Sequence, residues 1–188
     1  MPHQLSLFEE PPEYLIPHAL FFALLPDDKA AGDAAHLVRH LRGQRLRLQK
    51  PLEPQRLHVT LCGLGGYVGQ MPPRLLTHAD TAVTALRTDP FPVSFDRLHG
   101  ANGRLLLRPS SAAPLHDFGS RLRTTLIKAG LRRWLRWRFS PHMTLSYAAE
   151  DLPETQIDPV TWTVRDFVLV ESLQGLHQHI RRGQWPLH

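Results

Sequence analysis

Apolar residues recur along this 188-residue chain with two periods, and the switches between them divide it into strands and helices. Ala19 to Leu25 is a continuous apolar run of strand length. Pro26-Asp27-Asp28 then carries helix-start chemistry, and Ala30, Ala34, Leu37, Val38 and Leu41 return at helical spacing until Gly43. Arg45 to Gln49 reads as a short strand or a loop. Leu57 to Cys62 alternates as a strand and runs into Gly63, Gly65 and Gly66, which predict a turn. Pro72-Pro73 opens a second helix, with Leu75, Leu76, Ala79, Ala82, Val83 and Leu86 on its buried side.

Phe91, Val93 and Phe95 alternate with polar residues, and Asn102-Gly103 predicts a hairpin that returns through Arg104 to Arg108. Ser110 or Ser111 is placed to cap a third helix running to Gly130, with Leu115, Phe118, Leu122, Leu126 and Ile127 on its apolar stripe. A strand follows at about Pro141 to Tyr147. Asp151 to Pro159 reads as irregular, and Thr161 to Leu173 with Leu176 to Arg182 as a terminal hairpin. The predicted order, β-α-β-α-β-β-α-β-β-β, is an α+β pattern containing two strand-helix-strand units. Residues 1–17, with Pro2, Pro11, Pro12 and Pro17 and little periodicity, predict an irregular N-terminal tail on a single domain spanning 1–188.

Each of the two units ends in nearly the same tetrapeptide. His58-Val59-Thr60-Leu61 returns 84 residues later as His142-Met143-Thr144-Leu145, after Phe139-Ser140-Pro141. In a strand, alternate side chains share a face, so each copy puts His and Thr on one side about 7 Å apart and its two apolar residues on the other. One face is free for chemistry while the other packs. A histidine with a hydroxyl is half of what phosphodiester chemistry needs, and the second copy supplies the other half.

Composition narrows the setting without choosing a substrate. The longest apolar run is far too short to cross a bilayer, so no membrane partner is expected. Glu9, Glu10 and Glu13 stand where a secretory signal would be basic and apolar, which leaves a cytoplasmic location as the expectation. A single cysteine, Cys62, excludes a disulfide framework or a Cys-rich zinc site. By alternation it lies on the His58 and Thr60 face, as small packing near a cleft. Net charge is +5, with nineteen Arg and three Lys, which permits a polyanionic partner and fits arginine-rich coding equally well.

Around the paired motifs the chain resembles the two-histidine phosphoesterases, and within them the bacterial RNA 2',3'-cyclic phosphodiesterases, also called 2'-5' RNA ligases. Leu20 to Pro26 is similar to the family's opening strand, Leu57 to Gly65 to its first motif strand, and Phe139 to Leu145 to its Phe-x-Pro-His lead into the second. The chain departs at Leu48-Gln49-Lys50, where many relatives carry an aromatic, and at Ser146-Tyr147, where many carry Arg. The resemblance implies two pseudo-symmetric antiparallel β-sheet and helix lobes facing a central cleft. It also implies His58 as proton donor to the leaving 3' oxygen and His142 as proton acceptor from water. Thr60 and Thr144 would bind the phosphate, with neither metal nor other cofactor. The expected partner is RNA with 2',3'-cyclic phosphate ends, or a related cyclic nucleotide, held by a monomer.

Other residues carry weaker expectations. Arg132 to Arg138 mixes cations with Trp134 and Trp137, so Arg136 and Arg138 are candidate substrate contacts, as is Tyr147 at the cleft rim; Phe22 fits the core better. His36 with His40, and His177 with His179, have metal-ligand spacing, but each pair lacks a third ligand and reads as solvent-facing. Two other readings stay open: a non-catalytic module that holds RNA 3' ends, and a phosphodiesterase for another cyclic or 2'-5' nucleotide.

Overall fold

The computed structural model of the protein describes residues 17–44, 46–69, 71–135 and 139–188. Its strands are β1 (Pro17–Leu24), β2 (Leu48–Pro51), β3 (Val59–Val68), β4 (Phe91–Ala101), β5 (Arg104–Arg108), β6 (Met143–Ala149), β7 (Leu152–Val164), β8 (Asp166–Leu173) and β9 (Gln178–Pro186). The α-helices are α1 (Asp28–Gly43), α2 (Pro73–Thr84) and α3 (Ala113–Lys128). This is the expected α+β class. The strands form one antiparallel sheet in the order β7-β4-β5-β6-β3-β1-β8-β9, with β2 added beside β6. The two expected lobes are the halves of this sheet. They meet at β3 and β6, which are joined through one residue pair, Val59 opposite Met143.

Helices α1, α2 and α3 all bury their apolar stripes in the same core as Leu20, Phe22, Val59, Leu61, Leu105 and Leu145. That fills one side of the sheet and leaves the other for the cleft. A smaller cluster of Phe21, Ala23, Val168 and Val170 lies on the opposite face of β1 and β8. No helix among the described residues is long and apolar enough to cross a membrane.

Several local expectations hold for the reasons given. Asp27 caps α1 by accepting from the Ala30 amide at 2.8 Å. Asn102 and Gly103 take positive φ values of 53° and 69°, the geometry that a two-residue hairpin demands. Others are corrected. The glycines after the first motif form no turn: β3 runs on to Val68, and a Cβ on Gly66 would lie 2.9 Å from the His18 carbonyl oxygen of β1. At Gly66 the missing side chain lets the two backbones approach closely, and Gly65 takes a positive φ of 88°.

Asp151 to Pro159 is not irregular but mostly strand, within the 13-residue β7. Among the described residues β7 pairs with β4 alone, and Pro159 falls in an irregularity between the Phe95–Val160 and Arg97–Gln156 pairs. A missing amide donor is tolerated at such a place. The single strand predicted from Thr161 to Leu173 breaks at Arg165 into β7 and β8, which join opposite ends of the sheet. Neither Ser110 nor Ser111 caps α3, whose first turn has no side-chain cap; the Ser110 hydroxyl donates instead to Asp96 at 2.7 Å. The tail at 1–16 lies outside the described residues.

Candidate active site

Both motif histidines stand one residue ahead of their strands, β3 and β6. Because Val59 lies opposite Met143 in an antiparallel pair, Thr60 is level with His142 and His58 with Thr144. Leu57, Val59, Leu61, Met143 and Leu145 are all buried in the core, so the His and Thr side chains take the opposite face, as alternation requires. His58, Thr60, His142 and Thr144 line one cavity of about 520 Å³.

The two imidazoles are held in the same way. His58 Nδ1 lies 2.8 Å from the Arg56 carbonyl oxygen, and His142 Nδ1 lies 2.7 Å from the Ser140 carbonyl oxygen, two residues back in each case. A carbonyl can only accept, so both Nδ1 atoms carry hydrogen. That leaves Nε2 of each ring to take up or release a proton.

The surroundings of the two rings differ. Phe21 stacks on His58 with centroids 5.1 Å apart, and His179 meets it edge-on at 5.3 Å and 74°. Burial lowers the His58 pKa, the Arg56 carbonyl bond pushes back, and positive charge on His142 and Arg56 lowers it further. His179 is pushed down to about 4, by burial first and then by charge on His58 and Arg56. His179 is therefore neutral near pH 7. Arg104 brings a fixed positive charge to the cavity, and among the described residues no Asp or Glu lines it. Such a lining favours an anion.

A repeated irregularity shapes both walls. In β3, Thr60 pairs with Ala23 but Cys62 with Phe22; in β6, Thr144 pairs with Leu106 but Ser146 with Leu105. Each motif strand thus carries one extra residue directly after its Thr, a β-bulge. The bulge turns Cys62 and Ser146 to the core side, where they are 5% and 0% exposed. This corrects the expectation that Cys62 shares the face of His58: it belongs to the core and touches the cavity from behind. Burial also raises its thiol pKa, which makes it a poor nucleophile.

The same bulge returns Tyr147 to the cleft face, where it lines the cavity as expected. Arg136 and Arg138 lie outside the described residues. Phe22 is fully buried, as the core reading required, and its neighbour Phe21 takes the cleft position. His36, His40 and His177 are exposed, whereas His179 is corrected from solvent-facing to cleft-lining. Trp134 packs partly buried against the core, with the Arg133 guanidinium 5.2 Å above its ring. Phe21 and Arg104 were the residues that pattern reasoning missed. Every position of Ala19 to Leu25 is apolar but one face is cleft, and strand adjacency decides which arginine reaches the site.

Two protonatable nitrogens with a hydroxyl beside each can move protons on two sides of one phosphorus while hydrogen-bonding its free oxygens. The model of the 2'-5' RNA ligase superfamily matches residues 26–187, a stretch that includes both motifs. The solved structure of E. coli LigT complexed with 3'-AMP is similar with a TM-score of 0.70 at 19% identity, covering 92% of this chain and 98% of that one. The protein TT0787 of Thermus thermophilus gives 0.72 at 20% identity, with 90% and 97% covered. Kluyveromyces marxianus Usb1 gives 0.54 at 14% identity, with 94% and 100% covered. These likenesses show a shared fold, and no curated protein matches the sequence significantly. On the match of the family model across nearly its whole length, the chain belongs to the 2'-5' RNA ligase superfamily of two-histidine phosphoesterases.

Proposed function

We propose that the protein hydrolyses 2',3'-cyclic phosphate ends of RNA to 2'-phosphates. His142 Nε2 takes a proton from water as its oxygen bonds to phosphorus; the bond from phosphorus to the 3' oxygen breaks, and His58 Nε2 delivers a proton to that oxygen. The products are a 2'-phosphate and a 3'-hydroxyl. Thr60 and Thr144 donate hydrogen bonds to the two non-bridging oxygens, where charge accumulates in the transition state. The scheme calls on neither a metal nor a nucleotide cofactor. With a 5'-hydroxyl in the place of water, the same machinery leaves a 2'-5' linkage.

One observation carries this reading: two imidazoles, fixed in the same tautomer by the carbonyl two residues back, border one cavity that Arg104 lines and, among the described residues, no carboxylate does. The cavity is formed within one chain, which fits a monomer of one domain.

The test is incubation with 2',3'-cyclic AMP and with an oligonucleotide carrying a 2',3'-cyclic end, the products separated by chromatography. Turnover to the 2'-phosphate is expected, and His58→Ala and His142→Ala each reduce it by about 10²–10⁴-fold with the circular dichroism spectrum unchanged. Full activity in either variant refutes the assignment. Saturable binding without turnover indicates a 3'-end binding module instead. Turnover confined to an ADP-ribose cyclic phosphate or a 2'-5' oligoadenylate reassigns the substrate while keeping the chemistry.

A further inference from the structure

The two halves of the cleft are related residue by residue up to a point, and then they part. Through the paired bulges, Thr60 corresponds to Thr144 and Cys62 to Ser146; one step further, Phe21 opposite Gly63 corresponds to Arg104 opposite Tyr147. The first half thus presents an apolar ring beside a glycine, and Phe21 is occupied in packing His58. The second half presents a guanidinium beside a phenol. Tyr147 is 44% exposed, and with Val68 it is one of two large hydrophobic residues left exposed among the described residues.

The row continues outward. Tyr147 pairs with Arg104 of β5 on one side and with Lys50 of β2 on the other. Directly paired residues share a face, and adjacent strands lie about 4.8 Å apart, so cation, ring and cation stand in line over about 10 Å. Arg104 and Tyr147 border the cavity of His58 and His142, and Lys50 lies exposed outside it. Among the described residues no carboxylate pairs with Lys50 or Arg104, whereas Arg108 is held by Glu154 and Arg182 by Glu171. Across the cleft, Ser172, Gln174 and His179 bring no fixed charge.

We propose that Lys50, Tyr147 and Arg104 form the seat of the nucleotide preceding the reactive end, so that the preferred substrate is an RNA strand rather than a cyclic mononucleotide. Tyr147 stacks on the penultimate base, Arg104 holds the phosphate joining that nucleotide to the terminal one, and Lys50 meets the next phosphate outward. An exposed aromatic ring flanked by cations binds single strands in this way, with the ring serving any base. The inference rests on the phosphodiester chemistry proposed above, and it assigns the body of the substrate to the half-sheet of β6 and β5.

The experiment compares 2',3'-cyclic AMP with a triadenylate ending in a 2',3'-cyclic phosphate, for the wild-type protein and for Lys50→Ala, Tyr147→Ala and Tyr147→Phe. The wild type is expected to favour the trinucleotide in kcat/KM, and Tyr147→Ala to reduce that preference about tenfold, with Tyr147→Phe retaining it because the stacking face survives. Lys50→Ala raises KM for the trinucleotide and lowers the slope of log KM against log salt by about 0.7, the share of one phosphate contact on a single strand. Equal wild-type kcat/KM for the two substrates overturns the assignment, as do variants that weaken both equally. If neither substrate turns over, the hydrolytic reading fails and fluorescence anisotropy with the same trinucleotide decides the row. Weakened binding in Lys50→Ala and Tyr147→Ala supports it, and unchanged binding sinks it.

Discussion

His179 is the residue through which the division of labour between the two motif histidines can be tested. Its ring centre lies 5.3 Å from that of His58, and it is uncharged near neutral pH because its pKa is held at about 4. His179→Lys places a permanent charge there. At that separation and an effective dielectric constant of about 20, two unit charges repel by about 3 kcal/mol, equivalent to about two pKa units. Solvent at the cleft mouth and the flexibility of lysine reduce this to about one unit. The His58 pKa is already below its ordinary value, so His58 is mostly neutral at pH 7 in either protein.

The assay is kcat/KM for 2',3'-cyclic AMP from pH 4 to 9, with His179→Phe as the control that keeps an aromatic ring against His58. The limb of the profile governed by His58 moves about one pH unit toward acid in His179→Lys and stays in place in His179→Phe. The activity at pH 7 then reports the role of His58. As proton donor it must be charged, and a pKa one unit lower reduces its charged fraction and the rate about tenfold. As proton acceptor it is already neutral at pH 7, and the rate holds. A profile in His179→Lys that coincides with the wild type at every pH refutes the claim that these two rings are electrostatically coupled.

Three further outcomes follow from the geometry. Thr60→Val and Thr144→Val preserve shape but remove the hydroxyls beside the imidazoles, and each is expected to reduce kcat by about 10²-fold, measured in steady state on the cyclic mononucleotide. Gly66→Ala forces a Cβ to 2.9 Å from the His18 carbonyl oxygen and is expected to cost about 1–3 kcal/mol in urea unfolding; an unchanged midpoint would show that β1 and β3 can separate there. Glu171, 2% exposed, accepts from Tyr67, Arg182 and His18; burial raises its pKa, and these bonds outweigh that and lower it. Its stabilising effect is full above its unfolded value of about 4.3 and is lost as pH falls through the folded one. Glu171→Gln is expected to cost about 2 kcal/mol at pH 7, since Arg182 is partly solvated, and to flatten the loss of stability below pH 5.

What pattern could and could not reveal is plain at particular residues. The paired motifs, the three helices and the Asn102-Gly103 turn are local matters of period and backbone preference, and each stands where the sequence places it. The bulges are not local. One extra residue after Thr60 and one after Thr144 reverse the alternation beyond them, which sends Cys62 to the core and Tyr147 to the cleft. Whether a strand carries such a residue depends on its neighbour's register. Likewise β7 and β8 read as one strand because the alternation of β7 runs without a turn signal into the apolar run Phe167 to Val170, and only the sheet order shows that they part at Arg165. His179 looked solvent-facing because the partners that enclose it, Phe21 and His58, come from strands far away in sequence.

The strand order also bears on how the molecule comes into being on the ribosome. β1 and β3 emerge early, yet β8, which flanks β1, and β9, which carries His179, are the last of the described elements to emerge. A nascent chain that has already exposed both motif strands still lacks the wall that encloses His58. The wall beside His58 is therefore completed by the closing hairpin, and a chain cut short before Gln178 would display both motifs without a finished pocket around them.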